Sequence, residues 1–216
     1  QTSKELLKRM DKANVDKAII FPFAPQTKTG STHEDNKKIA TLCKKNKRFI
    51  GFGRINQLNE NSLSELDHIL KLKLKGVKFH TRNSKITEAQ EILNKLEEHK
   101  LPIIVHTSDE KNTFVNFIEH LNYSGPIIIA HAGKNRFMDT VKIVNKYPNI
   151  YLDTSIISPF RTRYVIEHAN PDKIIFGSDS PYSHPKIDIL KIKYATDDKK
   201  LRKKIFSENI KKVLNI

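Results

Sequence analysis

The stretch PIIIAHAG, Pro126–Gly133, decides how the rest of the chain reads. A proline opens it, isoleucines and an alanine follow, and a histidine then leads into small residues. An unbroken β-branched run of this kind is a strand covered on both faces, as in a parallel sheet flanked by helices. An imidazole at the tip of such a strand is an expensive group to put there without a purpose.

Runs of the same type recur along the chain. They begin near Val15 (VDKAIIFPF), Phe49 (FIGFGRI), Gly76 (GVKFHT), Leu101 (LPIIVHT), Pro126, Ile150 (IYLDTS) and Lys173 (KIIFGSDSP), at successive distances of 34, 27, 25, 25, 24 and 23 residues. Helix-period segments fill the gaps, among them NSLSELDHILKLKLK, TEAQEILNKLEEHK, NTFVNFIEHL, FMDTVKIVNKY and RTRYVIEHA. Thr87 followed by Gln90 predicts an N-cap with its capping-box partner. Pro102, Pro126 and Pro148 stand where a helix has ended and a strand begins.

Strand and helix alternating at about 25 residues implies repeated right-handed βαβ units. An open doubly wound sheet would call for a glycine-rich turn after its first strand. With 7 glycines and no GxGxxG, this chain offers none. A closed (β/α)8 TIM-type barrel instead collects its chemistry at the C-terminal ends of many strands, and that is the pattern here. We therefore expect one barrel domain over residues 1–216.

Composition narrows the function classes. A chain of 216 residues with 38% hydrophobic content suits one domain with a sizeable core. Its single cysteine, Cys43, excludes an intrachain disulfide and a Cys-rich zinc cluster, and fits a reducing cytoplasm. No apolar run is long enough to span a membrane, and QTSKELLKRMDKANVD at the N-terminus is a polar amphipathic helix. The net charge of +15 raises the question of nucleic acid. The lysines, however, are spread over every helical pattern, as in KKIATLCKKNK and KKLRKKIF, with no basic stretch interleaved with aromatics. A solvated lysine surface, attractive to small anions, is the favoured reading, and a homodimer is left open.

The strand tips carry the chemistry. GVKF ends on His80, PIIV on His106, PIIIA on His131 and KIIFGS on Asp179, while IYL ends on the polar cluster Asp153, Thr154 and Ser155. Of nine histidines, only His80, His106 and His131 end apolar runs; His33, His68, His99, His120, His168 and His184 fall in loops or helical patterns. If alternation continues to each tip, His80 shares a face with Lys78, His106 with Ile104, His131 with Ile129 and Asp179 with Gly177. In a barrel such groups converge over one mouth. Imidazoles and a carboxylate together suit a zinc-class ion, whose bound water becomes acidic enough to attack at neutral pH. A nearby Asp can take its proton and a His can polarise a substrate oxygen. No GxSxG elbow is present, and Cys43 lies in a helical pattern, so a Ser or Cys nucleophile is disfavoured.

In that order and spacing, GVKFHT, IIVHT, IIIAHAG, IYLDTS and IIFGSDSP resemble the metal-dependent amidohydrolase superfamily. More narrowly they resemble its amidohydrolase-2 branch, which includes aminocarboxymuconate-semialdehyde-decarboxylase-like enzymes. The closing FSENIKKVLNI is also similar to the end of that branch. The resemblance implies a (β/α)8 barrel with a divalent metal, most simply zinc. It implies His106 and Asp179 as metal ligands, Asp179 as proton acceptor, and His131 as the group that orients water or stabilises an oxyanion. Lys78 and His80 match a position whose role varies. The branch carries a His-x-His pair on its first strand, absent from this sequence, so the resemblance places that strand upstream of Gln1.

Arg54 and Arg82 are candidates for holding an anionic substrate, because a guanidinium fork suits a carboxylate, and Lys78 and His80 are further candidates from the position that the resemblance matches. Phe21, Phe23 and Pro25 can wall the cleft. The expected activity is hydrolysis of a small carbonyl, amide, lactone or carboxylate compound by metal-activated water. Non-oxidative decarboxylation is the rival within the same family. A TatD-like metal-dependent nuclease and a metal-free binding barrel are the alternatives outside it.

Overall fold

The computed structural model describes residues 1–23, 29–80, 90–106 and 121–216, with the side chain of His80 outside that set. Helix and strand alternate as the apolar runs predict. The order is α1 (Ser3–Ala13), β1 (Ala18–Ile20), α2 (His33–Lys45), β2 (Phe49–Gly51), β3 (Gly53–Arg54), α3 (Ser62–Lys71), β4 (Val77–His80), α4 (Gln90–Glu97) and β5 (Ile103–His106). It continues with β6 (Ile127–Ile129), α5 (Phe137–Lys146), β7 (Ile150–Asp153), α6 (Pro159–His168), β8 (Ile174–Ile175), α7 (Pro185–Ala195), α8 (Lys199–Lys203) and α9 (Asn209–Leu214). The predicted helix NTFVNFIEHL, all but its last residue, and the Thr87 cap lie outside the described residues. The chain forms two compact units, Lys17–Ile127 and Gln1–Asp16 with Ile128–Ile216.

In Lys17–Ile127 the pairs β1–β2, β3–β4 and β4–β5 are parallel. Ala18 of β1 lies opposite Phe49 of β2, Arg54 of β3 opposite Lys78 of β4, and His80 of β4 opposite His106 of β5. The run FIGFGRI reads in sequence as one strand, but its halves serve different neighbours. Phe52 N–H donates to the Ile20 carbonyl at 2.9 Å, whereas Gly53 N–H donates to Gly76 and Lys75 N–H to Gly51, at 2.9 and 2.8 Å. A strand with partners on both edges explains the split. It also explains Gly76: a Cβ there would stand 2.3 Å from the Phe52 ring and 2.6 Å from the Pro102 carbonyl. Phe52, Leu66, Ile69, Phe79, Leu93 and Ile103 fill the interior completely buried, each contributing about 1.5–3 kcal/mol by leaving water.

In the second unit β6, β7 and β8 lie side by side, with Asp153 opposite Ile175 in the parallel β7–β8 pair. α1 starts with a capping box: Glu5 N–H donates to Thr2 Oγ1 and Thr2 N–H to Glu5 Oε2. Asn14 in a left-handed conformation ends it. α7 is inverted relative to an ordinary surface helix. Asp188 and Lys191 face inward as an ion pair at 2.5 Å, while Ile187, Leu190 and Tyr194 are exposed. After α8 the helix widens into a π turn over Lys204–Glu208, and the Ile205 carbonyl accepts from Phe176 N–H at 2.9 Å. Asn209, buried, donates from its side-chain amide to the carbonyls of Pro171 and Ile174 at 2.8 and 2.7 Å. Among the described residues no helix is long and apolar enough to cross a membrane.

Candidate active site

Two cations that the sequence marks as candidates prove to be interior groups. Arg54 is 5% and Lys78 4% exposed, although such side chains are mostly at surfaces. They are register partners on β3 and β4. Both lie over the half-buried ring of Phe21, at 5.9 and 5.4 Å from its centroid, a cation–π arrangement. Arg54 Nε donates to the Pro22 carbonyl at 2.7 Å. Its backbone is held by Asn36, whose side chain accepts from Arg54 N–H at 2.8 Å and donates to the Arg54 carbonyl at 2.9 Å. Thr32, whose N–H donates to the buried carboxylate of Glu65 at 2.8 Å, braces the same strand end.

The other candidates of that unit are more dispersed. His106 ends β5 half-buried and lies opposite His80 in register. The side chain of His80 and all of Arg82 and Pro25 lie outside the described residues. Cys43 is half-buried in α2, and burial pushes its thiol up, away from nucleophile behaviour.

His131 and Asp179 correct one expectation. Neither continues the alternation of its strand. β6 ends at Ile129, and His131 has a left-handed backbone with φ 58°; β8 ends at Ile175, and Asp179 has φ 50°. Both sit in turns just past a strand, aimed by local backbone geometry and not by the pleat, in a conformation tolerated by Asp and His more than by most residues. His131 is 4% exposed. Its Nδ1 lies 2.7 Å from Ser155 Oγ, its N–H donates to Asp153 Oδ1 at 3.1 Å, and Ser155 N–H and O–H donate to that same oxygen. The polar cluster after IYL is thus the seat of His131. The sequence showed Asp153, Thr154 and Ser155 as a polar cluster, but not their partner.

Asp179 is half-buried in a turn closed by Tyr182 N–H donating to its carbonyl. Arg9 of α1 holds the next residues of that turn, donating from Nη1 to Ser180 Oγ and to the carbonyls of Pro181 and Ser183 at 3.2–3.3 Å. Nothing in the sequence marked Arg9 for this task.

The donor types suit a divalent ion, but among the described residues no three His, Cys, Asp or Glu side chains stand together to hold one. The described residues therefore do not complete a metal site.

The family model described as Amidohydrolase matches residues 3–216, nearly the whole chain. The chain belongs to the amidohydrolase family. Solved structures agree with this at the level of fold. A 2,6-dihydroxybenzoate decarboxylase from Rhizobium is 14% identical, with 100% of this chain and 88% of that one covered and a TM-score of 0.78. A 5-carboxyvanillate decarboxylase from Sphingomonas paucimobilis is 16% identical over 100% of this chain and 84% of its own, at 0.76. A dihydroxybenzoic acid decarboxylase from Polaromonas sp. JS666, solved with manganese and the inhibitor 2-nitroresorcinol, is 16% identical over 100% and 86%, at 0.79. The fold of this amidohydrolase is accordingly the α/β TIM-type barrel. No curated protein matches the sequence.

Proposed function

We propose that this amidohydrolase is a metal-dependent decarboxylase of a small aromatic or unsaturated carboxylate. The observation that carries the reading is the buried pair Arg54 and Lys78, side by side in register over Phe21. A guanidinium and an ammonium held side by side offer charge-assisted hydrogen bonds to a carboxylate. An aromatic ring beside them suits a flat substrate. The similar structures from Rhizobium, Sphingomonas and Polaromonas are decarboxylases of benzoate-type acids, which agrees with this choice.

The reaction takes R–COO⁻ and one proton to R–H and CO2. The C–C bond breaks, its electron pair stays on carbon, and the proton fills that position. Arg54 and Lys78 hold the anionic substrate. Asp179 and His131 handle the proton, each fixed by its own turn. A divalent cation, when bound, would supply positive charge to the substrate oxygens. His106 and Asp179 are its proposed ligands, on the family resemblance, and manganese fits as well as zinc. The single half-buried cysteine fits a reducing cytoplasm.

Hydrolysis through an activated water is the second reading, favoured by the description of the family that matches. One assay separates the two. The purified chain is incubated with 2,6-dihydroxybenzoate and with an N-acyl amide, each with Mn²⁺, with Zn²⁺ and with EDTA. CO2 release that requires the cation and is lost in His131→Asn and Asp179→Asn supports decarboxylation. Amide cleavage alone supports hydrolysis. Turnover undiminished in both variants overturns the site.

A further inference from the structure

The seat of His131 determines where its proton resides. Asp153 Oδ1 receives three donors: Ser155 N–H at 2.8 Å, His131 N–H at 3.1 Å, and the Ser155 hydroxyl. A carboxylate only accepts. The close approach of Ser155 Oγ to it therefore spends the one hydroxyl proton that serine has. Ser155 Oγ has only lone pairs left for its other neighbour, His131 Nδ1, at 2.7 Å. Two acceptors at that distance would repel, so Nδ1 must carry a hydrogen.

We infer that Asp153 and Ser155 fix neutral His131 as the Nδ1–H tautomer, with its lone pair on Nε2. His131 and Ser155 are buried. Gly177 closes the other side: a Cβ there would stand 3.0 Å from Asp153 Oδ1 and 3.1 Å from Ser155 Cβ. Ser155 and Asp153 are positioning residues. The tautomer is a property of the fold; its catalytic meaning rests on the proposed decarboxylase function. A neutral His131 of this form takes a proton at Nε2 and cannot donate a hydrogen bond from it. The oxyanion-stabilising role implied by the resemblance is then open to His131 only after it has been protonated.

Long-range ¹H–¹⁵N correlation spectra of the full chain labelled with ¹⁵N-histidine test this, with the His131 signals assigned by their loss in His131→Asn. At pH 8 the expected pattern is a protonated Nδ1 and a bare Nε2, unchanged by EDTA, because a cation on Nε2 would impose the same pattern. Ser155→Ala should lose it and Ser155→Thr should keep it. An Nε2–H or imidazolium pattern in the native chain, a pattern that disappears with EDTA, or an unaltered one in Ser155→Ala overturns the inference. The native spectrum decides even if the alanine variant fails to fold. Absence of decarboxylation would refute the proposed function without touching this result.

Discussion

Arg54 and Lys78 stand opposite each other in the parallel pairing of β3 and β4, and both are almost fully buried. Their aliphatic stems belong to the core, and their charges meet the face of Phe21. Lys78→Met keeps the stem and removes the charge. A charge-assisted hydrogen bond to substrate is worth about 1.5–3 kcal/mol, so KM for the carboxylate probe should rise about tenfold or more. The melting temperature should change little. An unchanged KM would remove Lys78 from the substrate site.

Arg9 ties the turn after Asp179 to α1 through three acceptors. Arg9→Ala frees that turn without touching a reacting group. Misplacing a catalytic group by about 1 Å can cost about a hundredfold, so kcat should fall between about tenfold and a hundredfold while binding of the probe persists. Steady-state kinetics and equilibrium binding on the same variant distinguish this from general unfolding.

The inward pair of α7 offers a stability test. Asp188 is fully buried, and Lys191, which also donates to the Ile157 carbonyl at 2.7 Å, is nearly so. Asp188→Asn leaves a buried ammonium poorly compensated and should cost about 3–5 kcal/mol in urea unfolding. Replacing both residues by Met should be close to neutral, because the desolvation cost vanishes along with the attraction. A single variant as stable as the native chain would contradict the pairing.

His68 makes stability depend on pH. Its ring stacks on His33 with centroids 3.7 Å apart, and its Nε2 is buried without a hydrogen-bond partner among the described residues. Burial first, then His33 and Lys37, hold its pKa below the ordinary histidine value. The folded state therefore resists a proton that the unfolded chain accepts near pH 6.5. Stability from this site is complete above that pH and declines as the pH falls through it. Urea midpoints at pH 8 and pH 5.5 should differ less in His68→Gln than in the native chain.

Much of the architecture was legible in the sequence, and the exceptions share a cause. The strand–helix alternation followed from β-branched runs and proline punctuation, which act locally. The division of FIGFGRI between two neighbours was not legible, because pairing on each edge is a tertiary fact. His131 and Asp179 lie just past apolar strands, as the sequence suggests, but their orientation was misread: alternation stops where the backbone turns left-handed, and neither residue announces that turn as a glycine would. The burial of Arg54 and Lys78 ran against the usual surface preference of cations. Phe21 and the Pro22 carbonyl, just past β1, meet them there. Asn209, which the family resemblance picked up only as part of an ending motif, turns out to be a clamp on the carbonyls around β8.

The wide turn in the C-terminal helix also protects the molecule. β8 is two residues long, and the amide just past it at Phe176 would be open to any extended segment drifting past. The Ile205 carbonyl occupies that amide, and Asn209 occupies two carbonyls just before it. The last helix is therefore an edge guard as well as packing. A chain cut short before Lys204 loses both, and its expected failure is self-association through the bared edge before any loss of helix elsewhere.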